Sequence, residues 1–389
     1  MDGIDKDHHI MPTIGTWTTS PAPIADVSFD AITLRMIARI SIGGSHPRIR
    51  ISNAFGDQPL KIGAATVGLR ASHARITEGT LRSLTFGGEK SATVAAGALI
   101  VSDPVDLTLP SLADVAISIH LAAPVHETFR ITGHGTAKQT NYISPAGDHT
   151  TSLEFPVATT TMSWFFVSAI EVEAPAGTRG LVAFGDSLTD ANVSTPDTNN
   201  RWPDQLARRI AARKGTCTVG IMNQGLGGNR LLNDLTGDSG LKRFDRDVIA
   251  QPGVTDVIML LGVNDLRNRR GNPDEIVTAP TMIAGYKQIA QRARAAGLRL
   301  YVSTILPYEN ETFQPGCWSP DREAVRHAIN AWMRTTDCFD GLIDLDMALR
   351  DPAHPTRLLA PWDCGDHLHP SDAGYRHIGD CIDPDLIGA

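Results

Sequence analysis

The chain has 389 residues and a mass of 41.8 kDa, with 42% hydrophobic residues, which is the composition of an ordinary globular protein with room for two or three domains of roughly 150 residues each. Thirty-five Lys and Arg residues against 43 Asp and Glu residues give a net charge of −8 without any basic cluster, so nucleic acid is not an expected partner. No apolar run approaches the roughly 20 residues of a membrane-spanning helix, so we expect no membrane insertion.

The first half of the chain, from about residue 16 to residue 173, has the pattern of many short strands. Apolar residues alternate with polar or smaller ones at 34–42, at Ile49 and Ile51, and at 115–121. Glycine pairs at 43–44 and 87–88 interrupt these runs where turns are needed. Several half-buried strands at this spacing predict a β-sandwich, and this half holds no catalytic constellation of its own.

A segment rich in Pro, Ala and Gly, residues 171–180, predicts a linker between two domains, 1–175 and 176–389. Beyond it, strand-like apolar runs alternate with helical patterns. The runs are 181–184, 219–222, 254–261, 298–305 and 342–345, and the helical patterns are 202–214, 279–296 and 320–335. This alternation requires right-handed crossovers, and hence a mostly parallel sheet covered on both faces by helices.

The loops that follow these strands are where ligands bind in such a sheet, and they hold reactive residues. Ser187 stands on the turn after the first strand, where it is either a nucleophile or a helix cap. The next loop contains three glycines that can each bring a backbone N–H to a carbonyl oxygen: Gly225, Gly227 and Gly228. Asn264 adds an amide donor or forms a turn. Four other charged residues are predicted to be caps, turns or solvated side chains: Asp190, His327, Asp344 and Asp346.

A short loop near the C-terminus combines a carboxylate with imidazoles. Asp366 precedes His369 by three residues, so one loop can hold a base and the group that orients it, with His367 as a rival base. Asp366, His367, His369 and His377 also include the His-x-His spacing of metal sites, but no second ligand cluster supports that reading. We therefore expect neither a metal nor a cofactor.

Taken together and in this order, these segments resemble the sequence blocks of the SGNH hydrolase superfamily, also called the GDSL esterases and lipases. The blocks are Phe184-Gly-Asp-Ser-Leu-Thr-Asp190, Gly225 to Gly228, Gly262-Val-Asn-Asp265 and Asp366-His-Leu-His369, and the resemblance extends over residues 179–383. It implies that Ser187 is the nucleophile, His369 the general base and Asp366 its orienting carboxylate. It also implies an oxyanion hole formed by the backbone N–H of Ser187 with Gly228 and Asn264.

The first half is similar to the N-terminal region of a two-domain subgroup of these hydrolases, which is mostly bacterial and often exported. The similar segments are Gly15-Thr-Trp-Thr-Thr-Ser20, Arg50-Ile-Ser-Asn-Ala-Phe-Gly56 and Leu84-Thr-Phe-Gly-Gly88, with Asn200-Arg-Trp-Pro-Asp204 after the serine block. The fold class implied is α/β, a flavodoxin-like three-layer SGNH domain with a parallel sheet, preceded by an all-β, jelly-roll-like sandwich.

The activity implied is that of a carboxylic ester hydrolase working through a Ser-His-Asp triad and an acyl-enzyme. We expect short acyl groups, acetyl in particular, to be removed from a carbohydrate or another small ester, because the sequence shows no long apolar lid. Three indoles in or near the crevice loops can stack on sugars or pack in the core: Trp202, Trp318 and Trp362. The alternatives are a broader lipase or lysophospholipase, a transferase with an alcohol acceptor, and a glycan-binding module fused to a weakly active hydrolase.

The cysteine content and the N-terminal residues give expectations about the cellular compartment of the protein. None of the five cysteines forms a CxxC pair, and four fall after residue 316, which allows one or two disulfides if the protein is exported, with the pairing open. The first residues lack the basic-then-apolar order of a secretory signal, so we expect a cytoplasmic protein unless an export signal has been removed. The oligomeric state is left open.

Overall fold

The computed structural model describes residues 11–125, 130–213, 218–268 and 271–388, which form an N-terminal region up to residue 174 and a C-terminal region from residue 179. The strands of the N-terminal region are β1 (Thr13–Thr18), β2 (Ala22–Ile24), β3 (Ile32–Arg39), β4 (Gly44–Ser52), β5 (Leu60–Ser72), β6 (Arg75–Ile76), β7 (Arg82–Ser83), β8 (Ala92–Val94), β9 (Leu99–Val101), β10 (Thr108–Leu109), β11 (Asp114–Leu121), β12 (Ile131–His134), β13 (Asn141–Ala146), β14 (Thr159–Thr161), β15 (Trp164–Phe165) and β16 (Val167–Glu173).

The C-terminal region alternates strands and helices. Its strands are β17 (Arg179–Gly185), β18 (Val219–Gly225), β19 (Val254–Leu260), β20 (Arg299–Ser303) and β21 (Gly341–Ile343). Its helices are α1 (Ser187–Asp190), α2 (Trp202–Ala212), α3 (Gly240–Phe244), α4 (Val263–Arg267), α5 (Ala279–Ala295), α6 (Pro320–Thr335), α7 (Leu345–Leu349) and α8 (Asp372–Cys381). One π-helical turn, Asp245–Ile249, continues α3.

The described N-terminal region has a small antiparallel sheet of order β15-β12-β2 and two larger antiparallel sheets, and the two larger sheets enclose one core. One has the order β1-β16-β4-β10 with β9 on β4, and the other has the order β14-β13-β3-β11-β5-β6 with β7 and β8 on β5. In the second sheet Ile117 lies opposite Met36 of β3 and Val67 of β5. Alternation along β3 and β4 turns Met36 and Ile49 toward the same buried cluster, so the predicted sandwich is confirmed.

The C-terminal region is built on a five-stranded parallel sheet of order β18-β17-β19-β20-β21. The register aligns Gly185, the last residue of β17, with Gly225 of β18 and Leu260 of β19, so three carboxyl ends meet at one level. Helices α2 and α8 pack together beside β18, whereas α5 packs against β20, α3 and α6. The expected three-layer α/β architecture is therefore confirmed.

Local sequence explains where the long helices begin. Thr278 caps α5 through a reciprocal capping box with Thr281, and the Ser319 hydroxyl accepts from the backbone N–H of Arg322 at the start of α6. Proline occupies one of the first two positions of α2, α5 and α6, where its missing N–H has no intrahelical partner to lose. The three predicted helical segments agree with the structure to within two residues at either end.

The two regions are in direct backbone contact along β1 and β18. The Ser41 hydroxyl accepts from the backbone N–H of Ile221 at 2.8 Å, and the backbone N–H of Gly15 donates to the Pro252 carbonyl at 2.9 Å. A side chain at Gly220 would place its Cβ 2.4 Å from the Gly15 carbonyl oxygen, so only glycine fits there. The sheet edge at β18 is thereby covered by the N-terminal region.

The structure also bears on the cysteine and membrane expectations. The four described cysteines, Cys317, Cys338, Cys364 and Cys381, are free thiols, so the disulfides that the sequence allowed are not formed among them. Cys217 and the N-terminal residues used to judge a signal peptide lie outside the described residues. Among the described helices none has both the length and the apolar character needed to cross a bilayer.

We propose that the two regions are separate folding domains with the boundary between residues 175 and 176, as the linker composition predicts. The buried hydrophobic residues form one main cluster within 14–174 and another within 181–387. Between them lies a turn whose residues Pro175, Ala176 and Gly177 are all exposed. Such a turn is accessible to a protease while the contacts along β1 and β18 hold the two parts together.

A specific protease site inserted between Ala176 and Gly177 tests whether the contacts along β1 and β18 hold the two regions together without the linker. Cleavage of the native protein should give two fragments that still elute together in size-exclusion chromatography, because the contacts between the regions are buried and do not depend on the linker. The uncut protein serves as the reference. Separation into two independent peaks under native conditions would show that the contacts do not hold the regions together.

Candidate active site

Ser187 stands where β17 turns into α1. Asp186 caps this helix, and its Oδ1 accepts from the backbone N–H of Leu188 at 3.0 Å. A Cβ at Gly185 would lie 2.2 Å from Thr189 Oγ1 and 2.5 Å from the Leu260 carbonyl oxygen, so only glycine leaves room for these neighbours. Ser187 is therefore the first residue of a one-turn helix at the carboxyl edge of the sheet, and it is only 5% exposed.

The C-terminal loop brings an imidazole and a carboxylate to this serine. Asp366 Oδ1 accepts from the backbone N–H groups of Leu368 at 2.9 Å and His369 at 2.8 Å, which fixes the loop. Asp366 Oδ2 lies 2.6 Å from His369 Nδ1, and His369 Nε2 lies 2.9 Å from Ser187 Oγ. The three side chains thus form one continuous hydrogen-bonded chain, although 182 residues separate the serine from the histidine.

The charge of Asp366 is set by these contacts. Burial acts to raise the pKa of its carboxyl, but the hydrogen bond and charge of His369 and the two backbone N–H groups outweigh burial and hold the pKa well below its usual range. Asp366 is therefore a carboxylate at any pH at which the protein would work. An ionised carboxylate at Nδ1 leaves Nε2 as the nitrogen that faces the serine hydroxyl.

The rival base His367 points elsewhere. Its Nδ1 lies 2.6 Å from Asp363 Oδ2, and its side chain is 46% exposed. The loop therefore holds two His–Asp pairs, of which the pair of His369 and Asp366 contacts Ser187.

The alternative hypothesis of a metal site involved four residues that do not come together around one point: Asp366, His367, His369 and His377. Both ring nitrogens of His369 are already paired, and His377 stacks on Trp362 with ring centroids 4.3 Å apart. In the part of the chain that the structure describes, one group of three potential ligands does come together, Asp363, Cys364 and Asp366, with ligand atoms within 4.8 Å of one another. Both of its carboxylates already bond to histidines.

Asn264 is fixed between the loops that carry the other candidates. Its Nδ2 donates to the Asn229 carbonyl at 3.1 Å and to Asp186 Oδ2 at 3.2 Å. Its Oδ1 accepts from Arg267 Nη1 at 3.0 Å, and Arg267 is held in turn by Glu311 at 3.0 Å. Arg267 therefore decides which way the amide faces, a role that no motif indicated.

Two of the three glycines in the second loop, Gly225 and Gly228, have different structural roles. The N–H of Gly225 already donates to Asn223 Oδ1 at 2.8 Å, and a Cβ there would lie 2.2 Å from the backbone nitrogen of Asp190. Gly225 thus allows β18 to approach α1 closely. Gly228 has a φ of +74°, which favours glycine, and it precedes the Asn229 carbonyl that Asn264 contacts.

Two buried acids underlie this edge of the sheet. Burial raises the pKa of Asp186 to about 7, and the nearby charge of Asp265 adds to the effect. Burial likewise raises the pKa of Asp265 to about 6, although its carboxylate accepts from the backbone N–H groups of Leu231 at 2.7 Å and Leu232 at 2.9 Å. Asp265 thereby fixes the chain that follows Gly228.

A buried arginine that the sequence did not single out joins the strand ends. Arg243, in α3, donates to the carbonyls of Gly185 at 2.7 Å and Gln224 at 2.9 Å and to Asn229 Oδ1 at 3.0 Å. Its guanidinium lies 4.1 Å from the ring centroid of Phe184 and pairs with Asp247 at 3.1 Å. The ends of β17 and β18 and the glycine loop are thus tied to one side chain.

The aromatic residues differ from the expectation. Trp202 is 1% exposed and lies in the core, with Nε1 3.3 Å from Thr189 Oγ1, so its indole cannot stack on a substrate. Trp318 is half-buried against the same core, and Trp362 stacks on His377. The aromatic side chain beside the site is instead Phe313, whose ring meets that of His369 edge-on at 5.7 Å and is 59% exposed.

The sequence predicted that three acids and one histidine are caps, turns or solvated side chains. Two of the acids, Asp190 and Asp346, are instead buried. Asp346 pairs with Arg326 at 2.6 Å, and Asp190 pairs with His134 of the N-terminal region at 2.9 Å. The prediction was wrong for both because long-range partners leave no local pattern in sequence. Asp344 does cap α7, and the His327 side chain is exposed.

A cavity of about 640 Å³, which includes space open to solvent, lies between the two regions. Its lining includes Trp17 and Trp164 from the N-terminal region and Asp190 and Arg201 from the C-terminal region. Ser187 is not among the lining residues, so this cavity is separate from the hydroxyl that the loops surround.

Comparison with known protein families identifies the family of this chain. The model of the GDSL-like lipase/acylhydrolase family matches residues 183–377, which contain all the loops described above. Among curated proteins, none matches this chain.

Solved structures resemble part of the chain. A GDSL-like lipase from Bacteroides thetaiotaomicron has 15% identity and a TM-score of 0.40, over 54% of this chain and 88% of the lipase. A psychrotrophic esterase from Pseudoalteromonas sp. has 19% identity and a TM-score of 0.38, over 54% of this chain and 96% of the esterase. A carbohydrate acetylesterase family member from Sinorhizobium meliloti has 16% identity and a TM-score of 0.40, over 54% of this chain and 100% of that protein.

The family match covers half of the chain and includes the strand ends, the glycine loop and the C-terminal loop. The chain therefore belongs to the GDSL-like lipase/acylhydrolase family and is a carboxylic ester hydrolase.

Proposed function

We propose that the protein hydrolyses esters of short acyl groups through Ser187, His369 and Asp366. The observation that carries this proposal is the continuous chain from Ser187 Oγ through the imidazole to Asp366, with distances of 2.9 Å and 2.6 Å. A serine hydroxyl is a weak nucleophile unless an adjacent base takes its proton, and an imidazole held by a carboxylate is such a base.

In the first step His369 Nε2 accepts the proton of Ser187 as Oγ attacks the ester carbonyl. The tetrahedral intermediate then collapses, the alcohol leaves with the proton from His369, and an acyl-serine remains. Water repeats the attack with the same base and releases the acid. Asp366 stays ionised throughout, holds the tautomer and balances the imidazolium that forms at each transfer.

The oxyanion of both intermediates is proposed to face three donors: the N–H groups of Ser187 and Gly228 and the amide of Asn264. Preorganised donors of this kind contribute about 3 kcal/mol each to transition-state stabilisation. Both hydrogens of Asn264 now have protein acceptors, and the contact with Asp186 is the longer one. We assign donation to the oxyanion to the hydrogen directed at Asp186, because this contact is the longer one and the raised pKa of Asp186 makes its carboxyl a weaker competing acceptor.

The proposed substrates are acetyl or similarly short esters of a carbohydrate or another small alcohol. The support for a short acyl group is the close packing around Ser187, which leaves the residue almost fully buried, and the ring of Phe313 at the edge of the imidazole. We expect the alcohol to contact indoles in or near the crevice loops. Trp318 and Trp362 remain proposed contacts for it, whereas the burial of Trp202 removes that residue from the proposal.

The Ser187→Ala variant should lose activity by about 10³-fold or more while its fold is retained, because Ser187 is the hydroxyl that the described residues pair with His369. The measurement is the initial rate on p-nitrophenyl acetate, with circular dichroism as the check on folding. Ser91→Ala is the matched control, since Ser91 is exposed in the N-terminal region. A serine-directed phosphonate should abolish the wild-type rate, and a chelator should leave it unchanged. Near-normal activity of Ser187→Ala would remove the assignment.

The two His–Asp pairs of the C-terminal loop offer an internal comparison. His369→Ala and Asp366→Asn should each lower kcat by about 10²-fold or more, because they remove the base or its orientation. His367→Ala and Asp363→Asn change an equivalent pair that does not contact Ser187, so they should keep kcat within a few-fold. A larger loss from His367→Ala than from His369→Ala would reverse the choice of base.

Acyl-chain preference is measured with p-nitrophenyl esters from acetate to palmitate, with Ser187→Ala as the background rate. We expect kcat/KM to be highest for acetate and to fall with chain length, because the surroundings of Ser187 leave little room for a long acyl group. Acetylated sugars are the next substrates. Efficient hydrolysis of the long-chain esters alone would contradict the short-acyl proposal and favour a lipase.

A further inference from the structure

The end of α1 opposite Ser187 is attached to the N-terminal region. His134, the last residue of β12, places Nε2 at 2.9 Å from Asp190 Oδ1, and Thr136 Oγ1 donates to Asp190 Oδ2 at 2.7 Å. The side chains of His134 and Asp190 are 2% and 4% exposed. Two residues of the β-rich region therefore bind both oxygens of a carboxylate on the helix that carries the serine.

The contacts of His134 define its protonation state. Its Nδ1 lies 2.9 Å from the Ser20 carbonyl, which can only accept, so Nδ1 carries a hydrogen. Its Nε2 faces a carboxylate oxygen and carries the other. The imidazolium is the form in which both ring nitrogens donate, and Asp190 balances its buried charge.

The charged and aromatic groups around this imidazolium come from several elements. Asp190 on α1 faces it directly, the Arg201 guanidinium is the other charge that acts on it, and the Trp164 ring of β15 lies 5.7 Å away. Burial and Arg201 oppose the charged form. The charge and hydrogen bond of Asp190 and the Ser20 carbonyl outweigh them and raise the pKa of His134.

The same network reaches the other end of the serine-bearing segment. Ser20, whose carbonyl holds His134, donates its hydroxyl to Asp247 Oδ2 at 2.6 Å and lies 3.3 Å from Arg243 Nη1. Arg243 donates to the Gly185 carbonyl, immediately before the capping Asp186. The segment from Gly185 to Asp190 is therefore anchored at both ends by buried cations.

We propose that His134 is a positioning residue for the ester hydrolase, which holds Asp190 and through it α1, so that Ser187 Oγ stays within reach of His369. A four-residue helix closes too few hydrogen bonds to be stable alone, and the bond from the Ala191 N–H to the Ser187 carbonyl at 2.8 Å spans its whole length. Its orientation must therefore come from outside. This inference rests on the proposed role of Ser187 as the nucleophile.

The sign of the pH dependence follows from the raised pKa. The contribution of the ion pair is fully present below the ordinary histidine pKa of about 6.5 and is lost as the pH rises through the higher value of the folded protein. At a pH above the pKa of His134 in the folded protein, Asp190 is still buried but loses the N–H donor of His134 and keeps the Thr136 hydroxyl as a side-chain donor. We expect kcat to fall on the alkaline side for this reason.

The test compares His134→Gln with the wild type and with His120→Gln, which changes a histidine of the same region that contacts the Ile32 carbonyl. Rates are normalised to the number of sites that react with a serine-directed phosphonate, so that loss of folded protein does not count as loss of turnover. We expect His134→Gln to lower kcat by about 10- to 100-fold with KM within a few-fold, because small displacements of a nucleophile act on turnover. The alkaline fall assigned to His134 should disappear, and His120→Gln should behave as the wild type.

A second pair of variants and one spectrum make the test independent of how His134→Gln folds. Thr136→Ser keeps the hydroxyl and should keep kcat, whereas Thr136→Val removes a donor to Asp190 and should lower kcat. In nitrogen-edited NMR of the wild type near pH 6, His134 should show protons on both ring nitrogens. Unchanged normalised kcat in His134→Gln and Thr136→Val, or a neutral His134 ring at pH 6, would overturn the proposal.

Failure of the proposed function would appear differently. If Ser187→Ala retained its activity, the nucleophile would be wrong, while the spectrum of His134 would still report the imidazolium. If Ser187→Ala is inactive and His134→Gln is fully active per reactive site, the triad stands and the positioning role alone is refuted.

Discussion

Helix α1 consists of a single turn, and such a helix cannot fix its own position. Its first residue is Ser187, so any activity of this hydroxyl depends on contacts that other elements make with the turn. Arg243 holds the Gly185 carbonyl before the turn, Asn264 contacts the capping Asp186, and His134 holds Asp190 at its end. Much of the surrounding structure can be understood as the support that this short segment requires.

Buried charges provide most of that support. Arg243 pairs with Asp247, Arg267 pairs with Glu311, and each arginine also contacts backbone or amide oxygens around the strand ends. An unpaired charge in the interior costs several kcal/mol, and even a paired one gains little net stability over an apolar side chain. The benefit of these arginines therefore lies in orientation. Arg267 turns the amide nitrogen of Asn264 toward the serine loop, and Arg243 brings the ends of β17 and β18 into register with the glycine loop.

The contacts also give the N-terminal region a part in the site. It covers the edge of the parallel sheet at β18 and places His134 and Thr136 on the serine helix. A region in which the sequence predicts no catalytic residue can thus influence turnover by fixing the position of a group in its neighbour. A loose linker alone would not keep Asp190 within hydrogen-bonding distance of His134. The buried backbone and polar contacts between the two regions are what keep it there.

The β-sandwich, the parallel sheet, the bounds of the long helices and the family could all be predicted from the amino-acid sequence, because periodicity, caps and short motifs are local. The sequence also placed Ser187, Asp366 and His369 among the candidates, and their catalytic roles stay a proposal. The groups that orient these three residues became visible in the folded structure. His134, Arg243 and Arg267 carry no local signal, since an isolated charged residue looks the same in sequence whether it is solvated or paired with a residue far along the chain. For the same reason Trp202, which stands beside the crevice loops in sequence, proved to be a core residue, because burial depends on packing that no local pattern records.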